Sequence, residues 1–217
     1  MGELILIRHG QANTEARDEA SYDQLSKLGH QQAVWLGQHF RDHGEVFDSV
    51  LCGSLNRHRE TLAGMGDLGV EADVDARLNE LDYFNLARAL EDDHAVPMPE
   101  TSEDFAAHLP QVMAAWHRAE IRGNEHFAEF EARIGAILNA VSQEGKRVLC
   151  VTSGGVIAMA IRLLLRLDTD GFSAVLLPIR NTSVHRVMVR PGGNILLGFN
   201  EIPHLNAPDR AHARTTV

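Results

Sequence analysis

Arg8-His9-Gly10 directly follows four apolar residues, 4–7, that suit a buried central strand. A histidine held at a strand end beside a guanidinium is discouraged from taking a second proton, so one ring nitrogen stays available as a nucleophile near neutral pH. That suits attack on phosphorus, and Gly10 lets the backbone turn closely around an anion. A second group, Gly53-Ser54-Leu55-Asn56-Arg57-His58-Arg59-Glu60-Thr61, begins where the strand candidate 46–51 ends and enters a helix over 55–65. Arg57 falls in the first helical turn, where unpaired N–H groups and the helix dipole favour an anion. Helix starts usually prefer acidic residues, so two arginines here fit a phosphate site. Two solvated arginines pairing with Glu60 are the competing explanation. A third group, Thr152-Ser153-Gly154-Gly155, forms a tight turn between a strand over 147–152 and an apolar helix over 156–167.

The elements that must position these groups alternate. Ser26 suits the N-cap of a helix carrying Gln32, Ala33, Leu36, Gly37 and Phe40 on one face. A short strand is expected over 70–74, and a helix over 125–143 with Phe127, Phe130, Ile134, Ile137, Leu138 and Val141 at helical spacing. Strands 183–189 and 195–199 flank Pro191-Gly192-Gly193-Asn194 as a hairpin. Residues 84–123 read as a helical insertion over the core, broken by Pro97, Pro99 and Pro110, with an acidic run at Glu91-Asp92-Asp93. Residues 11–23 are polar and without period, and the tail from Pro203 reads as frayed. Alternating strands and helices imply an α/β fold with a mostly parallel sheet covered on both faces, here one domain over 1–217. Ligands in such folds bind beyond the carboxyl ends of strands, where all three groups fall.

Composition excludes some classes. No run approaches the ~18 apolar residues of a spanning helix, and 20 Lys+Arg against 30 Asp+Glu leaves a formal charge of −10. Nucleic acid and anionic membrane are therefore poor partners, and an anionic substrate needs a local basic pocket. Cys52 and Cys150 look like core fillers at strand ends, and the N-terminus lacks a signal-like basic segment, so a cytoplasmic protein is expected. The helix over 156–167 is too apolar to lie exposed; the sheet covers it, or a second copy does in a homodimer.

Taken in order, Leu6-Ile7-Arg8-His9-Gly10, Leu25-Ser26-Lys27-Leu28-Gly29, Ser54-Leu55-Asn56-Arg57, Leu78-Asn79-Glu80, Thr152-Ser153-Gly154-Gly155 and Asn181-Thr182-Ser183-Val184 span nearly the whole chain. The ordered set resembles the histidine phosphatase superfamily, phosphoglycerate-mutase-like branch. The resemblance implies a three-layer α/β/α sandwich and a phosphohistidine intermediate. It makes His9 the nucleophile, Arg8 and Arg57 the phosphate clamp, and Glu80 the general acid, with Asp82 a rival for that role. It extends phosphate or substrate binding to Gly10, Asn13, Ser26 and Gly154, Asn13 being the nearest match to an asparagine that is out of register. No metal or organic cofactor is implied, because the two arginines supply the positive charge.

The departures bear on function. Ser153 stands where the superfamily usually carries a second histidine that binds the transferred group. Losing one preorganised donor lowers a rate by ~10²–10³ unless the Ser153 hydroxyl, the Gly154-Gly155 amides or a nearby histidine, His58 or His185, substitutes. Gly53 replaces a usual hydroxyl residue, Gln11 stands where mutases often have glutamate, and no glycine follows Glu80. A phosphoglycerate mutase is disfavoured. What remains is a phosphatase of a small phosphorylated metabolite or a weakened phospholigand-binding protein. Ser153 on a strand–turn–helix also invites a serine-hydrolase comparison, with Asp168 or Asp170 and His185 or His204 downstream. Gly64-Met65-Gly66-Asp67-Leu68-Gly69 fits a dinucleotide fingerprint but follows a helix, and His39 with His43 lacks a third metal ligand.

Overall fold

The computed structural model describes residues 1–16 and 18–216. In chain order the elements are β1 (Gly2–Arg8), α1 (Glu19–Tyr22), α2 (Lys27–Asp42), β2 (Ser49–Cys52), α3 (Asn56–Met65) and β3 (Ala72–Val74). There follow α4 (Tyr83–His94), α5 (Ser102–His117), α6 (Phe127–Val141), β4 (Arg147–Thr152), α7 (Gly154–Leu165), α8 (Thr169–Leu176), β5 (Val184–Val189) and β6 (Ile195–Glu201). The strands form one sheet of order β3-β2-β4-β1-β5-β6. β1, β2, β3 and β4 run parallel, while β5 and β6 return antiparallel as the hairpin.

The two-residue period of β1 divides the core. Leu4 and Leu6 enter a cluster with residues of α4 to α8, whereas Ile5 and Ile7 enter a second cluster with Ala33, Leu36 and Phe40 of α2 and Met65 of α3. This is the expected α/β/α layering. Ser26 caps α2 by accepting the Gly29 N–H at 3.0 Å. Where α2 crosses α3, a Cβ on Gly37 would come within 1.9 Å of the Met65 carbonyl, so the close approach requires glycine there.

Several expectations change. Pro110 lies inside α5 instead of breaking it, because that helix buries Leu109, Val112, Met113 and Trp116, whose burial outweighs the ~3 kcal/mol of an interior proline. α8 and α1 have no counterpart in the sequence pattern: α8 buries only Phe172 and Ser173, and α1 buries nothing. The tail is not frayed. Two 3₁₀ turns, Pro203–Leu205 and Pro208–Ala213, bury Leu205 and Ala213, and Arg214 Nε donates to the Leu205 carbonyl at 3.0 Å. In α7, residues 154–161 are buried within the chain's own layers, so covering that helix requires no second copy.

Candidate active site

The carboxyl ends of β1, β4 and β2 lie side by side. The His9 N–H donates to the Thr152 carbonyl at 2.9 Å and the Gly53 N–H to the Val151 carbonyl at 3.1 Å, which gathers His9, Ser153 and Gly53 at one sheet edge. His9 is 2% exposed. Its Nδ1 lies 2.7 Å from the Gly10 carbonyl and donates to it, so the lone pair sits on Nε2, which has no hydrogen-bond partner among the described residues. Burial first, then the Arg57 and Arg8 charges, hold its pKa well below the ordinary 6.5. The ring is neutral at physiological pH. Gly10 serves packing: its N–H donates to Thr61 Oγ1 at 2.9 Å, and a Cβ there would lie 2.5 Å from the Gly29 carbonyl.

Arg57 is fully buried in the first turn of α3. Its Nη1 donates to Glu19 Oε1 at 2.7 Å and Asp23 Oδ1 at 3.2 Å, while Nε and Nη2 are buried without a partner among the described residues. The Tyr22 ring centroid lies 5.1 Å from the guanidinium carbon. Asp23 explains how α3 tolerates arginines at its start. Leu55 offers no cap, and the Asp23 carboxylate accepts the Asn56 and Arg57 N–H groups at 3.0 and 3.2 Å instead. The pairing of Arg57 with Glu60 is thereby replaced; Glu60 accepts the Leu25 N–H at 2.7 Å. Arg8 Nη1 donates to the carbonyls of Ile179 and Thr216, and its Nε has no partner among the described residues. Burial pushes the Glu19 carboxyl up in pKa against the downward pull of Arg57.

Glu80 is held by two amides, Leu81 N–H on Oε1 and Gly155 N–H on Oε2, both at 3.0 Å. Its carboxylate thus sits at the N-terminal end of α7, where Gly154 also lines the cavity. Asp82 is spent elsewhere: it caps α4 through the Asn85 N–H at 3.0 Å and accepts from Asn124 Nδ2 at 2.8 Å. Asn13 lines the cavity, its Nδ2 donating to the Ser21 carbonyl at 3.0 Å. Ser26 does not line it. Its hydroxyl caps α2 and donates to Gln11 Oε1 at 2.8 Å, so its place is structural.

Ser153 Oγ lies 2.6 Å from His58 Nε2, and both residues are fully buried. His58 Nδ1 has no partner, so no carboxylate completes a serine-hydrolase triad there. His185 is remote from this pair in bonding: Ser183 Oγ and the Asn200 N–H hold its two nitrogens. His39 and His43 stack at 4.1 Å, and no group of three potential metal ligands exists among the described residues.

A cavity of about 590 Å³ opens beside this group; Arg8, Arg57, Tyr22 and Gly154 line it, whereas His9, Gly10 and Ser153 are not among its lining residues. Arg8, Arg57, Glu19 and Glu80 line one end; Tyr22, Phe84, Met98 and Phe105 form an apolar wall contributed largely by the segment expected as an insertion. Among the described lining residues the only cations are Arg8 and Arg57, and Glu100 adds a third carboxylate. Sequence reasoning missed Glu19, Tyr22, Asp23 and Thr216. The first three sit in a polar stretch whose four-residue helix leaves no periodic signal, although Asp18 followed by Glu19 is a helix-start pattern.

A family model described as the histidine phosphatase superfamily (branch 1) matches residues 4–202. The 2,3-bisphosphoglycerate-dependent phosphoglycerate mutase of Allorhizobium ampelinum is 33% identical over 99 residues, 42% of this chain and 47% of that protein, so the match spans about half the relative's length. The adenosylcobalamin/alpha-ribazole phosphatase of Escherichia coli K12 is 27% identical over 175 residues, covering 77% of this chain and 81% of that one. Among solved structures, a phosphoserine phosphatase variant from Entamoeba histolytica in complex with phosphoserine superposes with a TM-score of 0.67 at 21% identity, over 94% of this chain and 100% of that chain. At that identity the likeness concerns the fold.

Proposed function

The chain belongs to the histidine phosphatase superfamily, and from that premise we propose that it is a phosphatase of a small phosphomonoester acting through a phosphohistidine on His9. The observation that carries this is the neutral, buried His9 imidazole, fixed through Nδ1 on the Gly10 carbonyl between two guanidiniums with unpartnered N–H edges. In the first half-reaction the Nε2 lone pair attacks phosphorus, the ester P–O bond breaks, and Glu80 in its acid form gives its proton to the leaving oxygen. In the second, Glu80 takes a proton from water, whose oxygen attacks phosphorus as the N–P bond breaks, returning neutral His9 and inorganic phosphate. Arg57 Nε and Nη2 and Arg8 Nε are placed to bind phosphoryl oxygens, each charge-assisted bond contributing about 1.5–3 kcal/mol.

The cavity supports hydrolysis over mutase chemistry. Away from Arg8 and Arg57 its described lining offers no further cation but one carboxylate, Glu100, and the rings of Tyr83, Phe84 and Phe105, a wall that disfavours a second anionic group and accepts an uncharged, partly aromatic alcohol. Two free buried cysteines support a reducing, cytoplasmic setting. The test is phosphate release, in metal-free buffer, from aryl and alkyl monophosphates against phosphoglycerates. Preference for the aryl esters supports the proposal; preference for phosphoglycerates, with phosphoryl transfer between their hydroxyls, contradicts it.

A phospholigand-binding protein of low turnover is the second reading. It is favoured by the occupation of Arg57 by Glu19 and Asp23, and of Arg8 by Thr216, which substrate must displace. Phosphate binding without release from any ester would select it.

A further inference from the structure

Gly53 and Ser153, two departures from the pattern this chain resembles, both meet His58. We infer that His58 is a positioning residue that holds the Ser153 hydroxyl as the donor to the transferred phosphoryl group, replacing the histidine absent at position 153. The inference rests on the phosphatase proposal and deepens it.

The His58 ring is fully buried in the first turn of α3, its centroid 5.8 Å from that of His9. It fits only because residue 53 has no side chain: a Cβ on Gly53 would lie 2.1 Å from His58 Nδ1. Ser153 occupies the N-cap of α7, where a serine side chain ordinarily accepts an N–H of its own helix, yet it makes no such bond. Glu80 accepts the Gly155 N–H there, and the Ser153 hydroxyl turns to His58 at 2.6 Å.

The tautomer follows from the partners. Nδ1 has none, and an orphaned buried N–H is rarer than an orphaned acceptor, so the hydrogen resides on Nε2. Nε2–H then donates to Ser153 Oγ, and the serine hydrogen is left to point at an acceptor. Ser153 follows Thr152, whose carbonyl holds the His9 N–H at 2.9 Å, and its partner His58 has its ring centroid 5.8 Å from that of His9, which brings the hydroxyl to the His9 end of the sheet. Burial first and the Arg57 charge second keep His58 neutral, which preserves this donor direction.

The experiment is a double-mutant cycle on aryl phosphate turnover with His58→Leu, Ser153→Ala and both together, plus His58→Gln, whose amide nitrogen reproduces the Nε2–H donor. Loss of a preorganised donor predicts a fall in kcat of about 10²-fold in each single variant with KM little changed. The double variant falls no further, because the two residues act as a unit, and His58→Gln recovers most of the loss. Ser153→His alone brings no gain, since His58 fills the space, whereas His58→Ala with Ser153→His restores turnover. A thermal unfolding midpoint and a circular dichroism spectrum close to those of wild type in each variant separate these effects from misfolding. Additive losses, or kcat undiminished in His58→Leu while wild type turns over, overturn the inference alone. A wild type that releases no phosphate removes the phosphatase proposal and this inference with it.

Discussion

Arg57 and Glu19 form an ion pair at 2.7 Å in which the guanidinium is wholly buried and the carboxylate side chain 31% exposed. The arginine proposed to bind a substrate phosphate is thus held at Nη1 by an anion from a four-residue helix that buries nothing. Glu19 is a competitor for the substrate and, being on a weakly packed element, a displaceable one.

Replacing that competitor exposes the competition. Glu19→Gln is expected to lower KM for an aryl phosphate, and the inhibition constant of inorganic phosphate, by up to about fivefold, the range of a partly exposed ion pair. Steady-state kinetics at fixed salt checks this. A rise in both constants would mean instead that Glu19 holds Arg57 in its productive orientation.

Arg57 itself contributes a fork, not only a charge. Its Nε and Nη2 are both unpartnered, so two parallel bonds to phosphoryl oxygens are lost in Arg57→Lys. At about 1.5–3 kcal/mol each, kcat/KM falls by about 10²–10⁴. A loss under tenfold would remove Arg57 from the phosphate contacts.

The pH profile reports the nucleophile. Burial and then the two arginines hold His9 well below its ordinary 6.5, so its neutral form persists as pH falls past that value. The acid limb of kcat/KM from this residue therefore lies well below 6.5, not at it. A limb centred near 6.5, matched by a His9 ring titration near 6.5 followed by NMR, would contradict the environment described here.

Stability has its own pH dependence. Burial, with a lesser push from Arg8 on His185 and from His39 and Arg210 on His204, lowers both pKa values from 6.5 to about 3. Lowered native values mean that the unfolded chain binds protons first. Their contribution is full above about 6.5, declines as pH falls, and is gone once pH passes about 3. Each contributes a slope of up to about 1.4 kcal/mol per pH unit in that window. Urea unfolding midpoints between neutral pH and pH 4 should fall, and less so in His204→Gln; a flat dependence would contradict the account.

The sheet edge that carries the chemistry was legible because its signals are local and strong. A four-residue apolar run stops at Arg8-His9, Ser26 announces α2, and a glycine pair follows the β4 strand. The partners of those residues were not legible. Glu19 and Asp23 reach Arg57 across more than thirty positions of chain from an aperiodic segment, and Thr216 reaches Arg8 from the opposite end. Pro110 misled because packing of one helix face outweighed a local rule. Of the two histidines expected as substitutes at Ser153, His58 is bonded to its hydroxyl and His185 is held by Ser183 and Asn200, a choice that no spacing encodes. Ser26 shows its cap in the sequence and in the structure, while the substrate contact that the resemblance implied for it has no counterpart in the cavity lining.

The most direct test of the central claim is to trap the intermediate. Wild type and His9→Ala are mixed with phosphoryl-labelled phenyl phosphate, quenched in alkali, and digested. An acid-labile, alkali-stable label on the peptide containing His9, absent together with phosphate release in His9→Ala, is the predicted result. Undiminished release by His9→Ala, or label retained on another residue, would contradict it.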